Sequence, residues 1–223
     1  AASDVYKRQD YMVELEFFKS MPEGIRKDAW FLTKVTMTGQ ERNPETGRYP
    51  LLNWDDPATN QKHPYWKKNI ESSDWVFNYD DGYYETKGIS SASGKTRMIF
   101  RYADILLLYA EAVAYGTKSI NDLAFDCMWR VQERAGVPLI SKDVTKEYFQ
   151  KAVLDERRWE TAGMEHSCMG RFFTMQRHEI LHLQKNYRDA AELSLNPNLT
   201  LSEEFYYFPI PDNELLIVPG LKD

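Results

Sequence analysis

Residues 101 to 138 constrain this chain more than any other stretch. Arg101-Tyr-Ala-Asp-Ile-Leu-Leu-Leu-Tyr-Ala-Glu-Ala112 has a charged first turn and an almost wholly apolar body. Ile105, Leu108, Tyr109, Ala112 and Val113 recur at the i, i+3, i+4, i+7, i+8 spacing of a helix with one buried face. Gly116 should end that helix, and Ser119-Ile-Asn-Asp122 has the capping-box form that opens the next. The second stripe is Ile120, Leu123, Ala124, Cys127, Met128 and Val131, closed by Gly136 and Pro138. Two helices joined by so short a turn must lie antiparallel.

The hairpin has roughly the 34-residue length of a tetratricopeptide unit. One such unit cannot bury both of its faces and needs neighbours. The chain upstream offers no second unit, so the expectation is a fragment with an N-terminal part missing. Residues 1–9 show no periodicity and read as a non-native or disordered lead. Residues 10–95 form a loop-rich, aromatic-rich region with minor β-structure, and 96–223 a helical region with an extended tail. Within the first region Tyr11 to Met21 suits a short helix. Arg26 to Thr38, rich in β-branched and aromatic residues, suits a strand or hairpin arm. Gly39 to Lys95 is dense in Gly, Pro, Asn, Asp and Ser, which predicts long irregular loops of the kind that more often carry function. In the second region Asp143 or Thr145 can cap a helix running to about Gly163, and another should cover Arg171 to Asp189. Phe205-Tyr-Tyr-Phe-Pro-Ile-Pro211 must be extended, because two prolines forbid a helix there. The fold class is therefore mainly α, with helical hairpins, long irregular loops and minor β.

Four ordered signals follow the opening helix: Arg134-Ala-Gly-Val-Pro138, Glu156-Arg-Arg-Trp-Glu160, Arg171-Phe-Phe173 with Arg177, and Phe208-Pro-Ile-Pro-Asp-Asn-Glu214. From about Arg97 to Leu221, their order and spacing resemble the C-terminal half of the SusD/RagB family, glycan-binding lipoproteins of the Bacteroidota outer membrane. Departures from the family pattern are the inserted Met164–Gly170, Thr174 where Asp is usual, and the absence around Trp129 of the usual Asn. The resemblance implies a SusD-like α-α superhelix and a non-catalytic subunit without a cofactor. Such a subunit binds oligosaccharide at the cell surface and delivers it to a SusC-like TonB-dependent transporter. Its membrane attachment would come only from a lipid anchor in the missing N-terminal part.

Composition fits this reading. The net charge of −6 argues against a nucleic-acid partner. No run of about 18 apolar residues is present to span a bilayer as a helix. Cys127 and Cys168 form no C-x-x-C and read as free thiols. The outlier is aromatic content: 14 Tyr, 11 Phe and 6 Trp. Flat rings suit sugar faces, and they also pin down a loop-rich shell. The candidate ligand-binding residues are Trp54, Trp66, Trp75, Tyr79, Asp80, Asp81, Tyr83 and Tyr84, with Asn53 and Glu85 nearby.

Three other constellations compete. His178-Glu-Ile-Leu-His182 fits H-E-x-x-H, where His178 and His182 on one helix face would hold zinc and Glu179 would polarise the bound water of a metallopeptidase. Lys185 and Asn186 break the metzincin continuation, and a gluzincin-type third ligand could only be Glu203 or Glu204, which precede the proline-rich segment instead of sitting on a facing helix. Asp155, Glu156 and Glu160 suggest a glycosidase acid and base, but two carboxylates on one helix turn cannot flank a scissile bond. Ion pairs with Arg101, Arg134 or Arg157 are the expected alternative. Asn78, Asp80, Asp81 and Glu85 offer oxygen ligands without EF-hand spacing, which favours a turn over calcium. A third functional class, a tetratricopeptide adaptor that binds a peptide, follows from the hairpin alone.

Overall fold

The structure is a computed structural model. It describes residues 13–37, 39–59, 63–67, 75–78, 83–86, 100–163, 165–183, 188, 190–195, 210–218 and 220. Mainly helical, with small two-stranded antiparallel sheets, it runs α1 (Leu15–Ser20), α2 (Ile25–Trp30), β1 (Phe31–Leu32), β2 (Lys34–Thr36), β3 (Leu51–Asn53), β4 (Tyr65–Trp66), β5 (Trp75–Asn78) and β6 (Tyr83–Thr86). The helical half follows with α3 (Tyr102–Tyr115), α4 (Asp122–Ala135), α5 (Lys146–Thr161), α6 (Glu165–Arg177), α7 (Ala190–Leu195) and α8 (Asp212–Ile217). The sheets pair β1 with β4, β2 with β3 and β5 with β6. The lead segment 1–9 and most of the Phe205–Pro211 tail lie outside the described residues.

Polar side chains set the helix starts. At α3 the Arg101 N–H donates to Asp104 Oδ2 at 2.8 Å. Asn121 Oδ1 accepts from the Ala124 N–H at 2.9 Å, so α4 starts two residues later than a Ser119 cap would place it. Thr145 Oγ1 takes the Tyr148 N–H at 3.2 Å and opens α5. Gly136, at φ 69°, ends α4 in the left-handed conformation that glycine adopts without penalty. A Cβ there would meet Ile25 Cγ1 and N at 3.2 Å, which lets the start of α2 sit directly on the end of α4.

The main core lies where α3, α4 and α5 meet. Leu107, Met128, Val131, Phe149 and Val153 fill it, and Ala103, Ala110, Ala114 and Ala124 let the backbones approach. Cys127 is part of this core, and burial pushes its thiol up. The segment after α4 is held down by Trp129 Nε1–H donating to Ile140 O at 2.7 Å. Gln132 Oε1 accepts the Ile140 N–H at 3.0 Å and holds the same segment. A second cluster gathers Val13, Phe17, Met21 and Phe31, with Trp66 and Trp159 packed against it.

Three expectations require correction. The buried face of α3 is Ala103, Leu107, Ala110, Glu111 and Ala114, not the Ile105–Leu108–Ala112 stripe. Ile105 is 53% exposed and Leu108 47%. The helix is apolar on both sides, so periodicity alone cannot choose between them; close packing on two neighbours selects the alanines. The Arg26–Thr38 segment begins as helix α2 and becomes extended only at Phe31, because Arg26 and Lys27 point inward to buried partners. The helix expected over Arg171 to Asp189 is α6, which stops at Arg177.

The stop of α6 has a definite cause. The Glu179 N–H donates to Gln176 O at 3.0 Å and the Ile180 N–H to Met175 O at 2.8 Å, a Schellman ending. Glu179 occupies the left-handed position with φ 55°, where glycine is usual. A non-glycine residue there costs roughly 1 kcal/mol. Glu179→Gly should therefore stabilise the protein by about 0.5–1 kcal/mol, read as a rise in the urea midpoint.

Candidate functional site

The region between β2 and β6 carries most of the candidate ligand residues and builds a rack of alternating arginines and tyrosines. Asn43 Oδ1 accepts the N–H groups of Glu45 at 2.8 Å and Thr46 at 3.1 Å, folding Asn43–Gly47 into a turn. That turn brings Arg42 Nη2 to Glu85 Oε1 at 2.6 Å, Nη1 to Glu85 Oε2 at 3.2 Å, and Nη1 to Gly47 O at 2.6 Å. The Arg42 guanidinium lies 4.0 Å from the Tyr49 ring centre, and that of Arg48 lies 4.6 Å from Tyr83. Tyr83, only 8% exposed, donates its hydroxyl to Glu85 Oε2 at 3.1 Å and accepts the Tyr49 N–H at 3.2 Å. Arg42 holds the Glu85 carboxyl below the usual carboxylate range, and burial raises the Tyr83 phenol.

Of these five residues, Tyr83 and Glu85 stand in the candidate group read from the sequence, and Arg42, Arg48 and Tyr49 do not. The only sequence signal was the turn-forming Asn43-Pro-Glu-Thr-Gly47 placed between the two arginines.

The other described candidates have partners of their own. Trp66 on β4 pairs with Phe31 and stacks against it at 5.0 Å between ring centres. Its other support is Gly163, at φ 63°, where a Cβ would fall 2.5 Å from the indole. Trp66 therefore packs as an internal strut between the first sheet and the end of α5. Trp54 is half-buried, edge-on to Phe18 at 5.8 Å, with its N–H bonded to Thr33 O at 2.9 Å. Trp75 pairs with Thr86, and Tyr84 with Phe77, in the β5–β6 ladder. Tyr79, Asp80 and Asp81 lie outside the described residues. The structure joins Tyr83 to Glu85 through a hydrogen bond.

Two buried charge clusters take up the α5 glutamates and His178. Glu156 and Glu160, each about 1% exposed by side chain, project from α5. Arg26 bonds to both, to Glu160 Oε2 at 3.2 Å and to Glu156 Oε1. Arg101 Nη1 adds a bond to Glu160 Oε1 at 2.8 Å, and Arg134 bonds to the same oxygen. Burial raises the Glu156 carboxyl despite Arg26 beside it. Enclosed in this way, neither carboxylate reaches a glycosidic bond. Arg157 turns instead to Glu111 on α3.

Glu111 centres the second cluster. It accepts from Arg157, from Arg177 Nη2 at 2.8 Å, and lies 2.8 Å from His178 Nε2, whose ring stacks on Tyr115 at 3.9 Å. Burial works to raise the Glu111 carboxyl, but its hydrogen bonds and charges outweigh it and hold the group below its ordinary value. The zinc geometry does not form: α6 ends at Arg177, so His178 and His182 share no helix face. Glu179, the would-be base, is the exposed left-handed residue of the cap. Among the described residues no group of three or more His, Cys, Asp and Glu side chains is placed to hold a metal ion.

A family model described as the SusD family matches residues 19–223. The chain belongs to the SusD family. This match begins well before the motif-bearing half, so the SusD relationship includes the Arg–Tyr rack and the small sheets. A relative, the SusD-like protein P25 of Formosa agariphila, is 30% identical over 130 residues. That alignment covers 57% of this chain and 23% of the relative, so the chain spans about a quarter of the length of the protein it matches. No solved structure matches it significantly.

Proposed function

We propose that this SusD-family chain is part of a non-catalytic, glycan-binding subunit of a nutrient-uptake complex. In this reading it captures oligosaccharide at the cell surface and delivers it to a SusC-like TonB-dependent transporter. The full-length protein is held at the outer membrane by a lipid anchor. The observation that carries the reading is the family match across residues 19–223. It is supported by the concentration of rings and planar polar groups between residues 39 and 95, the chemistry that sugar faces and hydroxyls require. Among the described residues no helix is long and apolar enough to cross a membrane.

The helical region 96–223 serves as scaffold, and the Gly39–Lys95 loops supply part of the ligand face. Trp54 and Tyr79 are the residues assigned here to stacking on sugar, with Asp80 and Asp81 accepting hydroxyl hydrogens. Trp66 and Tyr83 hold that face in shape.

A glycan array probed with the purified protein tests the reading, followed by titration calorimetry on the best hit. Trp54→Ala and Tyr79→Ala should each weaken binding about tenfold, the loss of one aromatic contact. Absence of glycan binding, with retention of a peptide partner instead, would replace this reading with the adaptor class.

A further inference from the structure

Arg26 meets α5 through a single nitrogen. Its Nη1 bonds to Glu156 Oε1 and to Glu160 Oε2, the latter at 3.2 Å. Its Nε and Nη2, and the second oxygen of Glu156, are enclosed and bond to no group among the described residues. Arg26 is 4% exposed by side chain and Glu156 1%, so bulk water does not bathe them. A guanidinium donates from all of its nitrogens, and an ionised carboxylate accepts at both oxygens. The Nε–H, both Nη2 hydrogens and Glu156 Oε2 are therefore left over. Buried polar groups carry their full desolvation penalty when unmet, and charged ones carry more than neutral ones.

We propose that a pair of internal water molecules completes this contact. One accepts from Arg26 Nη2 and donates to Glu156 Oε2. The other sits in the fork between Nε and Nη2 and accepts from both. Position favours the pair. Each leftover atom shares its central carbon with an atom of the Arg26–Glu156 bond, so Nη2 and Oε2 flank that bond and one small molecule can reach both. Charge favours it too. Arg26, Arg101 and Arg134 stand against Glu156, Glu160 and Asp104, three positive groups facing three negative ones. A balanced cluster takes a neutral guest. An anion in the fork would be a third negative charge on a guanidinium that already holds two carboxylates, and a cation would meet Arg26 itself. Donor count decides the rest. The guest must accept at Arg26 and donate at Glu156, and water does both, making the roughly three bonds usual for an internal water. Protonation of Glu156 does not remove the need: its O–H would then seek an acceptor, which the same water supplies by turning round. The contact that joins α2 to α5 is thus a wet one, and its waters leave only when the N-terminal layer lifts. None of this depends on glycan binding.

Two measurements on the unmodified chain test this. Nuclear magnetic resonance of nitrogen-labelled protein reads cross-relaxation between water and the Arg26 Nε–H, assigned through its own side-chain bonds. A held water gives peaks of opposite sign in the laboratory and rotating frames, and such a pair of peaks is expected. Loss of the signal, as for a freely exchanging or dry site, overturns the proposal. Crystals soaked in bromide supply the second reading. Density is expected within hydrogen-bonding distance of both Nη2 and Glu156 Oε2, with a further peak in the fork, and neither should scatter anomalously. An anomalous peak in the fork assigns it to a halide and overturns the pair. So does a site without density, or one in which Arg26 has turned its fork to a group of the protein. Glu156→Met should lose the first peak and keep the second; if both persist, the bridge to Glu156 is wrong. Should that variant not fold, the unmodified protein decides alone.

Discussion

Arg26→Met should cost about 3–5 kcal/mol of stability, the range for breaking a buried ion pair by removing one partner. Arg26 is 4% exposed by side chain and touches both Glu156 and Glu160. Glu160 would keep Arg101 and Arg134. Glu156 would lose the ion pair that Arg26 makes with its Oε1. Its carboxyl is already raised by burial, so the proton it needs becomes scarcer with rising pH. Stability of the variant should accordingly fall as pH rises past the unfolded carboxylate range, about 4.3. Urea denaturation of Arg26→Met and of Arg26→Met/Glu156→Gln is the measurement. The second substitution removes the stranded charge and should recover a large part of the loss. If the double variant is no better than the single one, the damage lies in packing and not in charge.

Glu111→Gln is expected to cost about 3 kcal/mol at neutral pH, because Arg157 and Arg177 would both lose their carboxylate. The sign of its pH dependence is opposite to that of Glu156. Hydrogen bonds and charges hold the folded Glu111 carboxyl below its unfolded value, so its contribution is complete above the unfolded value. That contribution is lost as pH falls through the depressed folded value. The gap between the native protein and Glu111→Gln should thus be widest above the unfolded carboxylate value, about 4.3, and close in acid as pH falls through the depressed folded value. Denaturation curves at stepped pH would show it; a gap independent of pH would mean that the amide fails on shape alone.

The helices were legible because their boundary signals are local. Asn121, Thr145, Gly116 and Gly136 act within a few residues of themselves, and the helices begin or end beside them. What decided the rest lies far away in sequence. The orientation of α3 follows from where α4 and α5 pack, and its two apolar faces left periodicity without a preference. The end of α6 is set where His178 meets Glu111, 67 residues distant, and by a left-handed glutamate that gives no glycine signal. The Arg–Tyr rack joins Arg42 to Glu85 across 43 residues, a pairing that no spacing rule encodes. The aromatic loops stood out as a group, yet no spacing rule announces that Gly163 lies against the Trp66 ring, 97 residues away.

Glu160 ties together partners that lie 134, 59 and 26 residues from it along the chain, in Arg26, Arg101 and Arg134. Closing the longest of those loops carries the largest entropic cost, while the α3–α4 hairpin needs only local contacts. The helices should then assemble first and the N-terminal layer lock on afterwards. In such an order the knot at Glu160 governs how slowly the finished molecule comes apart more than how fast it forms.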